Sequence, residues 1–319
     1  MTQPQRRSVL FDHDGGVDDL ISLTMLLAMP HIDLVGVVVT PGDCFLRPAV
    51  SATLKIFRLF NRLDIPVSAG TLYGINPFPR SWRVHPYAVD ALPILNESQD
   101  PLAAPVATAG HDFLAATLRK ATSPLTVLVT GPCSNLAKVL GDTPDLAAQI
   151  QEVIWMGGAL EVPGNVHDHD HDGSAEWNSY WDPPAGHRLW QTEAPITLFP
   201  LDVTNQVPIT TKFFHRLAQQ RRYPLSDLVG QCYAITAGTI PQVEYLYYMW
   251  DTLSTGYLGA PHLMKFRQLH TEIIPFGPSA GRIQAVAQGG KLTRAASAVD
   301  VAAFQEYFLD LLKSPVHQA

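Results

Sequence analysis

Four aspartates fall within eight residues in the run Asp12-His13-Asp14-Gly15-Gly16-Val17-Asp18-Asp19. Carboxylates this close repel one another unless a cation joins them. Hard oxygen donors of this kind suit calcium or magnesium better than zinc. Gly15 and Gly16 allow a tight backbone turn, so that Asp14 and Asp19 can point inward together. An ordinary structural role covers only part of the run. Asp18 and Asp19 would be at home in the first turn of a helix, whose dipole favours negative charge, but that gives no reason for Asp12 and Asp14.

The run needs a strand before it and a helix after it. Ser8 to Phe11 is a short apolar stretch, and Val17 to Met29 carries Leu20, Leu23 and Leu27 at helical spacing. Leu34 to Val39 repeats the strand pattern, and Ala49 to Arg62 places Val50, Leu54, Phe57 and Phe60 on one helical face. Further buried strands are expected at Leu125 to Val129, Val153 to Met156 and Ile196 to Phe199, and a last helix at Val299 to Lys313. Apolar strands alternating with helices predict an α/β fold, a single domain over residues 1–319, with a mostly parallel central sheet and helices on both faces. Ligands of such sheets bind beyond the carboxyl ends of the strands, so the chemistry belongs in the following loops. Tyr73 to Pro93 reads as one long loop, rich in proline and aromatics, of the kind that forms lids or binding walls.

Bulk composition narrows the partners. Charged residues make up 16% of the chain and hydrophobic residues 46%, which predicts a globular protein. A formal charge of -7 gives no basic field for phosphate backbones, so nucleic acid is excluded as a partner and a small neutral or cationic ligand is favoured. Cys44, Cys133 and Cys232 are too few and too dispersed for a disulfide framework, as expected of a cytoplasmic protein. The N-terminal residues hold no apolar stretch of secretory length, and no apolar run is long enough to span a membrane.

The run DHDGGVDD resembles the N-terminal motif of the nucleoside hydrolase family, the inosine-uridine type of nucleoside N-ribohydrolase. Phosphatases of the haloacid dehalogenase type also begin with two aspartates after a strand, but they carry Thr or Val where Gly16 stands here. The resemblance continues in family order through VTPGDCF at 39–45, NPFPRSW at 76–82, VTGPCSN at 129–135, MGG at 156–158, DGSAEWNSYWDP at 172–183 and Trp250-Asp251. It covers nearly the whole chain.

That resemblance implies a Rossmann-like nucleoside hydrolase fold and a calcium ion held by Asp14, Asp19, the Thr130 carbonyl and Asp251. Asp12 would orient the loop from behind. Calcium orients water more than it ionises it, so a separate base is needed, and Asp14 is the candidate. Cleavage of an N-glycosidic bond passes through a sugar cation, which neutral or anionic groups gripping the ribose favour. Asp18, Asn165, Glu176 and Asn178 take that part by resemblance, with Met156 against the sugar ring. An isolated methionine after a strand would otherwise read as core.

The residue before Asp251 is a histidine in many pyrimidine-tolerant members; here it is Trp250, whose indole cannot act as an acid. Together with Trp82, and with Asp43 where many members carry asparagine, this resembles the purine-specific branch that prefers inosine, adenosine and guanosine. Two indoles would sandwich the purine, and Asp43 would assist near its N7. For one tryptophan alone, ordinary packing is the better reading. Tyr247 and Tyr248 could close over the base, but adjacent tyrosines in a helical stretch read as structural and are not counted in the site. The resemblance further implies nucleoside catabolism and purine salvage, and a homodimer or homotetramer. Broad or pyrimidine-preferring hydrolysis, and a non-catalytic nucleoside or sugar binder, stay open.

One tract is not absorbed. Asp168, Asp170, Asp172 and Gly173 match the opening of an EF-hand loop, but the twelfth position is Ser179 where a bidentate Glu is required. The tract His167 to Asp172 is expected to be a solvated insertion, with weak metal binding by His167, His169 and His171 left open.

Overall fold

The computed structural model describes residues 6–237 and 245–316; the N-terminal five residues, on which the absence of a secretory segment partly rested, lie outside that range. The strands are β1 (Arg7–His13), β2 (Ile32–Val39), β3 (Val67–Ala69), β4 (Leu125–Val129), β5 (Ile150–Met156), β6 (Ile196–Phe199), β7 (Pro208–Thr210), β8 (Tyr245–Tyr248), β9 (Met264–Ile273), β10 (Ile283–Ala285) and β11 (Lys291–Val299). Among the described residues the main sheet runs β10-β9-β11-β6-β5-β4-β1-β2-β3, and β7 and β8 form a separate antiparallel pair. From β3 through β6 to β11 every neighbour is parallel; β9 and β10 join antiparallel. Strands β1 and β4 to β6 are buried through their carboxyl halves, and apolar there except for Asp12 and His13 at the end of β1, as a sheet covered on both faces requires.

One face is closed by a cluster that includes Leu20, Phe57, Phe213, Leu253 and Phe304, and the other by Leu114, Leu136, Trp155 and Leu189. This is the expected α/β arrangement. Strand order turns back at β1: the chain proceeds outward through β2 and β3 on one side, then returns to lay β4, β5 and β6 on the other. At such a reversal the loops after adjacent strands splay apart and leave a crevice. Asp14, Thr130 and the Thr40–Asp43 loop follow β1, β4 and β2 at this place.

Several boundaries differ from the sequence expectations for identifiable reasons. Helix α1 (Val17–Ala28) stops one residue early because Met29 precedes Pro30 and takes an extended conformation. Helix α2 (Leu46–Leu59) starts and stops three residues early; Asn61 adopts a left-handed φ of 53° and Arg62 N–H closes back on the Phe57 carbonyl at 2.8 Å. The final helix is Val301–Leu311, since Val299 stays in β11 and the Asp300 side chain caps the Ala303 N–H at 3.0 Å. The stretch Tyr73 to Pro93 is not one irregular loop: it contains the short helices α3 (Arg80–Arg83) and α4 (His85–Asp90), each with a proline at its start. Among the described residues no helix is long and apolar enough to cross a membrane.

Candidate active site

The turn after β1 builds the acidic cup. Gly15 adopts φ +78°, and its N–H donates to His13 Nδ1 at 3.1 Å. Gly16 N–H donates to Asp19 Oδ2 at 2.7 Å, so Asp19 reaches back over the start of α1. Asp14 is enclosed: a Cβ added at Gly131 would lie 2.6 Å from its Cβ, and one added at Gly42 would lie 2.4 Å from its Oδ2. Its Oδ2 accepts the Asp43 N–H at 2.8 Å. The Thr130 hydroxyl donates to Asp19 Oδ1 in a short contact.

Behind the cup, Asp12 accepts Thr40 Oγ1 at 2.7 Å and Asn135 Nδ2 at 3.1 Å, and Asn135 Nδ2 also reaches Thr40 Oγ1 at 2.8 Å. Asp12 thus faces neutral donors and is not among the residues that line the cavity over the cup. Thr40 and Asn135 were not foreseen; single polar residues after strands carry no signal in sequence alone.

A cavity of about 360 Å³ opens over the cup and is lined by Asp14, Asp18, Asp19, Asp43, Thr130 and Asp251 on its acidic side. Asp18, Asp19 and Asp251 each bring one carboxylate oxygen within 4.8 Å of the others. Among the described residues this set of three contains Asp18, whereas the resemblance grouped Asp14 with Asp19 and Asp251. Asp14 remains in side-chain contact with Asp19. The Thr130 carbonyl accepts Asn178 Nδ2 at 2.8 Å, which uses one of its two lone pairs.

Electrostatics follow from burial and crowding. Burial and then repulsion from Asp19 lift Asp18 to about 7, and the same causes push Asp14 well above the carboxylate range. Asp251 and Asp43 are raised well above it too, first by burial and then by Asp18 and Asp19. Asp43 Oδ1 is buried without a hydrogen-bond partner. Such a cluster is an all-oxygen set whose mutual repulsion a divalent cation would cancel, and oxygens this close lie within the reach of one calcium shell. The residues fit that ion.

Asn165, Glu176, Asn178 and Met156 line the same cavity. Glu176 caps the helix Trp177–Trp181, accepting Asn178 N–H at 2.8 Å, and its Oε2 accepts Gly158 N–H at 2.9 Å. Burial nevertheless lifts it to about 7. Asn178 Nδ2 also reaches the Met156 carbonyl at 3.1 Å, and Asn165 Oδ1 accepts the Trp177 N–H at 3.1 Å.

The aromatic end holds Trp82 and Trp250. Trp82 meets Trp177 edge-on at 5.5 Å. Trp250 packs against Met156, Ala159 and Leu201, and its Nε1 donates to Asn205 Oδ1 at 2.9 Å. Tyr247, read as structural in the sequence, lines the cavity; its hydroxyl donates to Asp18 Oδ1 at 3.1 Å, and its ring meets Trp250 at 4.5 Å. Its place on β8 beside the cavity is what gives it that contact, and no local pattern announces it. His85 lines the cavity as well and was also unforeseen.

The tract from 167 to 173 lies apart from the cup as a surface turn. Asp172 N–H donates to the Pro278 carbonyl at 2.9 Å, and His171 Nε2 meets the Ala280 carbonyl at 3.0 Å. Among the described residues it brings no three ligand atoms together.

Known proteins share this fold and much of this sequence. The crystal structure of an inosine-uridine preferring nucleoside hydrolase from Bacillus anthracis is 42% identical, covers 97% of this chain and 99% of its own, and superposes with a TM-score of 0.91. A purine-preferring ribonucleoside hydrolase from Gardnerella vaginalis shares the fold at a TM-score of 0.80 and 23% identity, covering 98% of this chain and 100% of its own. The pyrimidine-specific ribonucleoside hydrolase RihA of Escherichia fergusonii is 32% identical over 227 residues, 70% of this chain and 69% of that protein. The model of the inosine-uridine preferring nucleoside hydrolase family matches residues 9–306. With that match laid over the carboxylate cup and its aromatic cavity, the chain belongs to this family and is a nucleoside N-ribohydrolase, a glycosidase.

Proposed function

We propose that this nucleoside hydrolase cleaves the N-glycosidic bond of purine ribonucleosides, namely inosine, adenosine and guanosine, to free base and ribose, with calcium in the acidic cup. The observation that carries the purine reading is that Trp82, Trp250 and Asp43 line the same cavity as the carboxylates. Indole faces favour a fused bicyclic base, each aromatic pair adding roughly 0.5–1.5 kcal/mol beyond area burial. Asp43 Oδ1, buried and without a hydrogen-bond partner, is left free to share a proton with N7 of the departing base.

Asp14, Asp19, the Thr130 carbonyl and Asp251, with Asp18 beside them, would hold the ion. Bound calcium supplies a positive charge that orients water and ribose hydroxyls without demanding strict geometry. Asp14 takes the proton of the attacking water; its carboxylate is fixed by the Asp43 N–H and by the close approach of Gly131. Asp18, Asn165, Glu176 and Asn178 grip the ribose, and their negative or dipolar character favours charge developing on the sugar. Met156 lies against the ring with its thioether held near Asn178. Stacking on the indoles raises the basicity of the purine, so that it leaves protonated.

A pyrimidine preference is the second reading, because the relatives from Escherichia are named as pyrimidine-specific. A reducing-sugar assay on inosine, guanosine, adenosine and uridine, with and without a calcium chelator, separates the two. Purine rates well above the uridine rate, abolished by chelation, are expected. Equal turnover of uridine overturns the purine assignment, and activity that survives the chelator overturns the metal assignment.

A further inference from the structure

Arg83 ends the short helix α3, one residue after Trp82, and several contacts tie it to the loop that carries Asp43. Its carbonyl accepts the Phe45 N–H at 2.9 Å. Its Nε donates to the Cys44 carbonyl across a long 3.4 Å. Its guanidinium carbon stands 4.8 Å from the centre of the Phe45 ring, and its charge opposes the repulsion that Asp43 feels from Asp18 and Asp19. A planar guanidinium can stack on a ring and donate in its own plane at once, which an ammonium cannot. A four-residue helix has no stability of its own, so the position of Trp82 depends on such tethers.

We propose that Arg83 is a specificity-determining positioning residue that fastens the wall bearing Trp82 to the Asp43 loop, keeping fixed the gap into which the base fits. The inference rests on the aromatic end of the cavity being the base site. The ribose end is anchored independently. Thr40 N–H donates to the His13 carbonyl at 2.7 Å, Gly42 N–H to the Thr40 carbonyl at 2.9 Å, and Thr40 Oγ1 to Asp12 at 2.7 Å. The backbone of Asp43, which holds Asp14, is therefore fixed from the side that precedes it, whereas Arg83 acts on Cys44 and Phe45, which follow. Loss of the guanidinium then loosens recognition of the base while leaving in place the backbone that holds Asp14.

The test compares Arg83→Ala, Arg83→Met and Arg83→Lys on inosine and on p-nitrophenyl β-ribofuranoside, whose phenolate departs without a purine stack or a proton. For the alanine and methionine variants the KM for inosine is expected to rise about tenfold, with kcat held within about threefold and kcat/KM for the nitrophenyl riboside changed by less than about threefold. Lysine recovers part of the inosine KM, because it keeps the charge but not the planar stack. Equal losses on the two ribosides, or an unchanged KM for inosine, overturn the proposal. Should the alanine variant melt far below the wild type, the contrast between lysine and methionine decides on the same criteria. A wild-type preference for uridine over inosine would instead overturn the purine reading, and the split between nucleoside and nitrophenyl riboside would still judge Arg83.

Discussion

Single side chains here take on roles that their neighbours make possible. Glu176 shows this best, as it serves both as a helix cap and as a wall of the cavity. Burial lifts its carboxyl from the ordinary 4.5 to about 7, so between those pH values the folded chain holds a proton that the unfolded chain releases. Its stabilising contribution is complete below pH 4.5 and is lost as the pH rises through about 7. Glu176→Gln keeps an oxygen for the Asn178 N–H and is neutral throughout, so urea titrations of the variant should show a flatter decline of stability across that window. A slope identical to that of the wild type would count against a buried, titrating Glu176. Asp14, Asp18 and Asp19 were legible as chemistry in the sequence, because carboxylates crowded around two glycines repel one another and need a cation to hold them together; Asp251 became legible through the resemblance. Tyr247 was not legible, because its hydrogen bond to Asp18 spans 229 positions of sequence.

At the scale of elements, the turn between β1 and α1 decides whether the aspartates converge. Gly15 holds φ +78°, and a Cβ there would come within 2.6 Å of the Ala49 Cβ and 2.8 Å of the Cys44 Cβ. Gly15→Ala is therefore expected to cost about 2 kcal/mol or more, from left-handed strain and overpacking together. Chemical denaturation measures that loss, and a variant as stable as the wild type would show that the turn relaxes freely. The same glycine was readable in advance as a tight turn. By contrast, α3 and α4 were hidden within a proline-rich stretch, since four and six residues are too few to display a helical period. The antiparallel β9, β10 and β11 edge also went unassigned. Its strands are partly exposed and mixed in composition, which blurs the apolar signal that marked β4 and β5.

For the whole molecule, the cup joins the loops after β1 and β4 to the helix Trp250–Gly256, which lies more than a hundred residues further along the chain. An ion held between such distant segments binds the folded chain alone and stabilises it by mass action, about 2.7 kcal/mol at a hundredfold excess over Kd. Calcium should raise the melting temperature of chelator-treated protein in a concentration-dependent way, read by calorimetry; a melting curve indifferent to calcium would argue against the ion bridging these segments. The amino-acid sequence alone determined the alternation of apolar strands with helices, the acidic turn after β1 and the resemblance that pointed to the family, because each is a local pattern of spacing and residue type. Only the tertiary structure decided that Asp18 comes together with Asp19 and Asp251, that Tyr247 reaches Asp18, and that Arg83 meets Cys44 and Phe45 beside Asp43. Those relations depend on the distances that a twisted sheet and its reversal of strand order impose between segments remote in the chain, and no local periodicity encodes them.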